Sequence, residues 1–174
     1  MKSKVAVLAL VALLVSAAQA LAMRLPDSCG DDRVKFEVTT QNGQPAPAAP
    51  ESGGAHLILI QTENHMVSPF HDATIRFGLD GAWAGATNGN SYFVLAIAPG
   101  VHHVCASWQS TFKALARNVD LTSFTAEAGR TYYLQADVNV ESQYSVGFKL
   151  SQIDDDKGQY LVGMARYSTF KTKK

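Results

Sequence analysis

Residues 73–85 read ATIRFGLDGAWAG, and this stretch decides the fold class. Before residue 80, apolar side chains alternate with small or polar ones, which is the pattern of a strand with one buried face. Asp80 and Gly81 follow, and both residue types tolerate the positive φ angles of a tight turn. Trp83 then begins a second short strand. The stretch therefore predicts a β-hairpin whose inward positions are Ile75, Phe77 and Leu79.

Other segments carry similar strand signals. His56–Gln61 is apolar on both faces, which predicts a central strand that is buried on both sides. Tyr92–Trp108 alternates on either side of Pro99 and Gly100, which predicts a hairpin with these two residues at its tip. Further strands are predicted at 34–40, where an edge strand is expected, on both sides of the glycine turn within 124–138, and at 146–150, the last strand.

The end of the chain predicts one helix. Asp154, Asp155 or Asp156 can cap it, and we expect it to continue to Arg166. Many short strands about ten residues apart, followed by one helix, predict an all-β fold. We expect a mainly antiparallel β-sandwich, of the immunoglobulin or transthyretin type, with one short C-terminal helix.

The first residues are typical of a secretory signal peptide. Lys2 and Lys4 precede an apolar run, and small residues follow it. Cleavage is expected after Ala20 or after Ala22, and both sites remain open. The run is shorter than the roughly 20 residues that span a bilayer, so we expect no transmembrane segment in the mature chain. The predicted location is the periplasm or the extracellular space.

The predicted organisation is simple. Residues 1–20 form the signal peptide, 21–55 form an N-terminal strand and a Pro/Gly-rich arm, and 56–174 form the β-sandwich domain.

The chain has 15 basic and 15 acidic residues, and cleavage of the leader makes it slightly acidic. This balance gives no electrostatic reason to expect nucleic acid as a partner. The glycine turns do not join a strand to a helix, so they do not predict a phosphate-binding loop, and no cofactor is expected. The chain has no Gly-x-Ser-x-Gly sequence of the kind that holds a nucleophilic serine, and no catalytic residue is predicted.

Cys29 and Cys105 are the two cysteines of the chain. An exported protein meets an oxidising compartment, so we expect them to form a disulfide bond. Such a bond would stabilise the fold by roughly 4 kcal/mol in the chain-entropy description. Two free thiols are the alternative.

Five histidines raise the question of a metal site. His102 and His103 are neighbours on a predicted strand and therefore point to opposite faces. His65, His71 and Asp72 share one irregular segment, and they form the candidate metal site. Trp83, beside the predicted turn, is the candidate exposed contact.

Four strings together resemble a known family. They are IRFGLDGAWAGA at 75–86, NGNSYF at 88–93, PGVHHVCA at 99–106 and AEAGRTYY at 126–133. In this combination the chain looks like the bacterial domain of unknown function 2846, over nearly all of its mature length. The resemblance implies a fold and an envelope compartment, with no catalytic residues. The middle of the chain also resembles small envelope sandwiches in which an aromatic residue takes the place of His102, which implies an inward-facing imidazole.

Two functional hypotheses follow. The first is a non-enzymatic binding or structural module of the cell envelope, which contacts a partner protein, peptidoglycan-associated material or a small ligand through loops at one end of the sandwich. The second is a periplasmic metal-binding or hydrolytic protein that uses the segment from His65 to Asp72.

Overall fold

A computed structural model describes residues 26–42, 50, 53–63, 73–111, 113–142 and 145–173. The strands are β1 (Phe36–Gln41), β2 (Ala55–Glu63), β3 (Thr74–Leu79), β4 (Ala82–Asn88), β5 (Ser91–Ile97), β6 (Gly100–Trp108), β7 (Val119–Ala126), β8 (Thr131–Ser142), β9 (Ser145–Ile153) and β10 (Arg166–Thr172). The helices are α1 (Lys113–Ala116), a single turn, and α2 (Asp155–Met164).

The strands form two sheets. One has six strands in the order β1-β10-β5-β2-β8-β9, and the other has four in the order β4-β3-β6-β7. The pairs β2–β8 and β5–β10 are parallel and the other neighbouring strands are antiparallel. The predicted all-β sandwich with a short C-terminal helix is confirmed.

The main hydrophobic core lies between the inner faces of the two sheets. It contains residues from both, because each strand turns alternate side chains inward. Phe93 is central to it, since its ring packs edge-on against Phe77 at 5.8 Å and against Phe170 at 5.0 Å between ring centroids. Other fully buried members are Leu57, Leu59, Ile75, Val104 and Leu134.

Helix α2 covers part of the outer face of the six-stranded sheet. Its Leu161 and Val162 pack against Ile58 and Ile60 of β2, so β2 is buried on both faces as predicted. The helix begins where expected, because the Asp154 side chain caps it by accepting a hydrogen bond from the Lys157 amide at 2.8 Å. Within the described residues, neither helix is long and apolar enough to cross a membrane.

The hairpin predicted at residues 73–85 is confirmed. β3 and β4 pair in antiparallel fashion, and Asp80 and Gly81 connect them with φ angles of 51° and 90°. Two successive positive φ angles are typical of the tight turns that match the twist of paired strands.

The hairpin predicted over Tyr92–Trp108 is wrong. β5 belongs to the six-stranded sheet and β6 to the four-stranded sheet, so the two strands are not hydrogen-bonded neighbours. Gly100, with a φ of 139°, lies where the chain crosses from one sheet to the other. Alternation could not reveal this, because a hairpin and a crossing both keep the apolar residues on the core side.

The prediction for the end of the chain needs two corrections. The helix ends at Met164 rather than Arg166, and β10 (Arg166–Thr172) follows it, so residues 146–150 are not in the last strand. β10 lies between β1 and β5, and β1 pairs with β10 alone in the sheet order. β1 is therefore the edge strand that its sequence predicted.

Candidate functional site

Strand ends of both sheets meet at one end of the sandwich, which we call the loop end. It includes the C-terminal ends of β2, β4, β6 and β8 and the N-terminal ends of β3, β5, β7 and β9. We call the opposite end, with the β3–β4 turn and the β5–β6 crossing, the turn end.

At the loop end the core changes from apolar to polar. Gln61 and Thr87 are fully buried, and the Thr87 hydroxyl donates to Gln61 Oε1 at 2.6 Å. The Gln61 amide nitrogen in turn donates to the carbonyl of Ala73 at 2.8 Å and to the carboxylate of Glu63. These bonds join the six-stranded sheet to the four-stranded sheet. We refer to Gln61, Glu63, Ala73 and Thr87 as the polar network.

A second group of polar contacts holds the turn between β4 and β5. The Ser168 hydroxyl donates to Ser91 Oγ at 2.8 Å, and Ser91 Oγ donates to the Asn88 carbonyl at 3.0 Å. Asn90 Oδ1 accepts the Glu63 backbone N–H at 2.6 Å. The turn is therefore tied both to β10 and to the end of β2.

The outer face of the six-stranded sheet carries a polar row at the same end. Thr62 donates its hydroxyl proton to Asp137 Oδ1 at 2.8 Å and accepts from the Gln135 side-chain amide at 2.7 Å. Gln135 and Asp137 lie two and four residues beyond Tyr133, which is the position of β8 that α2 covers. Gln135 is buried, whereas Thr62 and Asp137 are partly exposed, so the row presents one hydroxyl group and one carboxylate at the surface.

Residues 26–35 cross the outer face of the four-stranded sheet, and we call them the N-terminal clasp. Cys29 and Cys105 form the predicted disulfide bond, with 5.0 Å between their Cα atoms, and both are fully buried. A side chain at Gly78 would overlap the backbone of Cys29, so glycine is required there for the clasp to lie this close to β3.

Arg76 and Trp83 lie beneath the clasp. The Arg76 guanidinium is 4.3 Å from the centre of a Trp83 ring and donates to the carbonyl of Val34 at 2.6 Å and to Ser107 Oγ at 3.1 Å. The Trp83 indole N–H donates to the carbonyl of Asp31 at 2.6 Å. Burial lowers the pKa of Arg76, and the cation is compensated by carbonyl groups and an aromatic face.

The structure describes some of the predicted site residues and not others. His65, His71 and Asp72 lie outside the described residues. Among the described ones, no three His, Cys, Asp or Glu side chains come together as a metal ion would require. Trp83 is half-buried against the clasp, and its role as an exposed contact stays a prediction.

An open cleft of about 420 Å³ lies beside the first turn of α2. Arg130 faces it from the start of β8, and three aspartates face it from the helix, so it contains charges of both signs. It lies at the turn end and is therefore separate from the polar network. The residues that line it are Arg130, Thr131, Tyr132, Gln152, Ile153, Asp154, Asp155 and Asp156.

Sequence reasoning missed the polar network. Gln61 closes the run that was correctly predicted to be buried on both faces, and it shares the inner face of β2 with Leu57 and Leu59. A glutamine on the core side of such a strand was the available signal, because a buried amide requires hydrogen-bond partners. Its partner Thr87 is 26 residues away, and nothing in the sequence connects the two.

Comparisons of this chain with known protein families, with curated proteins and with solved structures found no match. The resemblance to the bacterial domain of unknown function 2846 therefore stays a prediction.

Proposed function

We propose that this protein is an exported, non-enzymatic module of the cell envelope that binds its partner at the loop end of the sandwich. The polar network is the observation that carries the proposal. Buried amide, carboxylate and hydroxyl groups cost free energy unless each finds a partner, and an apolar core would avoid that cost. Their bonds across the two sheets hold the strand ends at the loop end in fixed positions.

The polar network joins the two residues that flank the segment between β2 and β3. Gln61 contacts both Glu63, the last residue of β2, and Ala73, the residue before β3. The two ends of residues 64–72 are therefore tied to one side chain. Loops that a rigid scaffold positions in this way are where binding residues are concentrated.

The polar row of Thr62, Gln135 and Asp137 extends this surface onto the outer face of the sheet. Its donors and acceptors suit a polar partner better than an apolar one. A partner protein, peptidoglycan-associated material and a small polar ligand all have that chemistry.

Three features support export. The Cys29–Cys105 disulfide is fully buried, and such bonds persist in oxidising compartments. The first 20 residues have the composition of a signal peptide, and the resemblance to the bacterial domain of unknown function 2846 also favours the envelope. Mass spectrometry of the protein from periplasmic and culture fractions tests this, because export requires a chain that begins at residue 21 or 23.

Site-specific photo-crosslinking tests the binding surface. Asn139 is exposed at the loop end and Glu127 is exposed at the turn end, so a photoreactive residue at each position forms a matched pair. In living cells we expect a discrete crosslinked product from position 139 that excess unlabelled protein removes. Equal products from both positions, or none from position 139, would contradict the proposal.

A metal-binding or hydrolytic role is the second candidate. Gln61 holds the two ends of residues 64–72 together, and that segment contains His65, His71 and Asp72. Imidazole and carboxylate groups are common ligands of metal ions in proteins. Elemental analysis of the mature protein, repeated on His65→Ala, decides between the candidates: stoichiometric metal that the variant loses favours this role, and metal-free protein favours the binding module.

A further inference from the structure

His102 lies between two hydrogen-bond acceptors at the turn end. Its Nδ1 is 2.7 Å from Asp80 Oδ2, and its Nε2 is 2.8 Å from the carbonyl oxygen of Ala98. A neutral imidazole carries a proton on one ring nitrogen only, so it can donate to one of these acceptors. Both contacts are hydrogen bonds only when the ring is the imidazolium. The side chain is 11% exposed, and it faces inward as the sequence resemblance implied.

Asp80 connects this ring to the β3–β4 turn. Its second carboxylate oxygen accepts the His103 backbone N–H at 2.8 Å, and its own N–H donates to the His103 carbonyl at 2.9 Å. The next residue, Gly81, donates its N–H to the carbonyl of Ser28 at 3.2 Å. The turn that accepts a hydrogen bond from His102 therefore also holds the clasp, at the residue before Cys29 of the disulfide.

We propose that His102 and Asp80 form a pH-operated latch. The imidazolium fixes the β3–β4 turn, and with it the start of the N-terminal clasp, on the turn end of the sandwich. Loss of the proton removes one of the two hydrogen bonds and the charge attraction, and the turn and the clasp loosen together. The latch lies at the opposite end from the proposed binding surface and does not depend on that function.

The other groups around the ring are few among the described residues. Phe124 of β7 packs against it at 5.8 Å between ring centroids, and Tyr132 of β8 stacks behind Phe124 at 5.0 Å. The Tyr132 hydroxyl accepts the backbone N–H of Glu127. His103, the neighbouring titratable group, is exposed on the opposite face of β6. Asp80 is thus the charged group in direct contact with the ring.

The electrostatics agree with this geometry. Burial alone would lower the pKa of His102, but the hydrogen bonds to Ala98 and Asp80 and the charge of Asp80 outweigh it and raise the pKa above 6.5. Burial would likewise raise the pKa of Asp80, but the bonds from His103 and His102 hold it below its ordinary value. The latch is therefore closed on the acid side of the His102 transition and opens as the pH rises through it.

Nuclear magnetic resonance on the mature, oxidised protein tests the latch. The His102 ring protons report its titration, and hydrogen exchange of the Gly81 amide, corrected for the intrinsic rate at each pH, reports the contact with the clasp. Between about pH 5 and about pH 9 we expect His102 to titrate above its ordinary range. The protection of the Gly81 amide should fall by about fivefold with the same midpoint.

Asp80→Asn is the decisive variant, because it keeps the shape of the side chain and removes its charge. The His102 midpoint should move to lower pH, and the Gly81 amide should lose its pH-dependent protection. Asp156→Asn removes a similar charge from an exposed position of α2 and should change neither observable.

Two results would overturn the proposal. One is a His102 midpoint that Asp80→Asn leaves unchanged. The other is a Gly81 protection factor that stays constant with pH in the unsubstituted protein. The second measurement needs no variant, so the latch remains testable even if Asp80→Asn fails to fold.

Discussion

Gly158 of α2 lies directly over the aromatic ring of Tyr133, with no space between them for a side chain. The glycine is buried although it belongs to a helix with an exposed outer side. This contact allows the helix backbone to lie against β8 and cover the outer face of the six-stranded sheet. The position of α2 therefore depends on the absence of one methyl group.

We expect Gly158→Ala to destabilise the protein. The added Cβ would overlap the Tyr133 ring, and such overpacking costs about 1 to 3 kcal/mol. Gly163→Ala is the control in the same helix, because none of the described atoms lies within 4 Å of a Cβ built there, and alanine favours a helix by up to about 1 kcal/mol. Urea unfolding measures the free energy of unfolding of both variants. Equal losses of stability in the two variants would contradict the close contact with Tyr133.

The polar network predicts a cost for removing one hydroxyl group. Thr87→Val keeps the side-chain shape and leaves Gln61 Oε1 without the Thr87 donor, which should lower the free energy of unfolding by about 1 to 3 kcal/mol. Thr125→Val makes the same change at an exposed position of β7 and should be nearly neutral. Chemical denaturation of both variants under one condition measures the difference. If Thr87→Val were as harmless as Thr125→Val, the network would have no structural role.

Removal of the disulfide should lower the free energy of unfolding by more than the substitutions above. Cys29 and Cys105 are 76 residues apart in the chain, so replacing both with alanine should cost roughly 4 kcal/mol through the greater freedom of the unfolded chain. The double variant avoids an unpaired thiol. Guanidinium unfolding of the oxidised protein and of the double variant measures the difference between their free energies of unfolding. A loss well below about 1 kcal/mol would show that the clasp adds little to the native state.

The His102–Asp80 pair predicts the pH dependence of global stability. The raised pKa of His102 means that its contribution is fully present below pH 6.5 and disappears as the pH rises through the folded-state pKa. The lowered pKa of Asp80 means that its contribution is present above pH 3.8 and disappears as the pH falls through the folded-state pKa. The stability difference between the natural chain and His102→Gln should be largest between these values, at up to about 1 kcal/mol.

Denaturant melts across the pH range measure that difference. A charge-neutral glutamine cannot form the ion pair at any pH, so the stability difference between the natural chain and the variant should shrink as the pH rises through the His102 transition and then stay constant. A difference that grows above neutral pH would have the wrong sign for an imidazolium.

The sequence predicted the features that depend on local residue choice. Asp80 and Gly81 determined the β3–β4 turn, and Asp154 determined the start of α2. Burial of β2 on both faces followed from its continuous apolar run. In these cases the physical cause lies within a few neighbouring residues.

The features that it missed depend on distant partners. β10 contains mostly polar residues, and Ser168 is buried only because Ser91 of another strand accepts its hydroxyl proton. Whether β5 and β6 share a sheet depends on which strands compete for their edges, and alternation carries no information about that competition. The same holds for Gln61 and Thr87, whose hydrogen bond exists only after the two sheets have come together.

The place of β10 in the six-stranded sheet sets an order of events in time. β1 has β10 as its neighbour in that sheet, so residues synthesised early must wait for residues 166–172 before they can pair. A growing polypeptide cannot complete this sheet while its last strand is still in the ribosome, and such long-range pairing is slow. This delay suits the export proposed above, because a chain that has not yet folded can still enter a translocation channel.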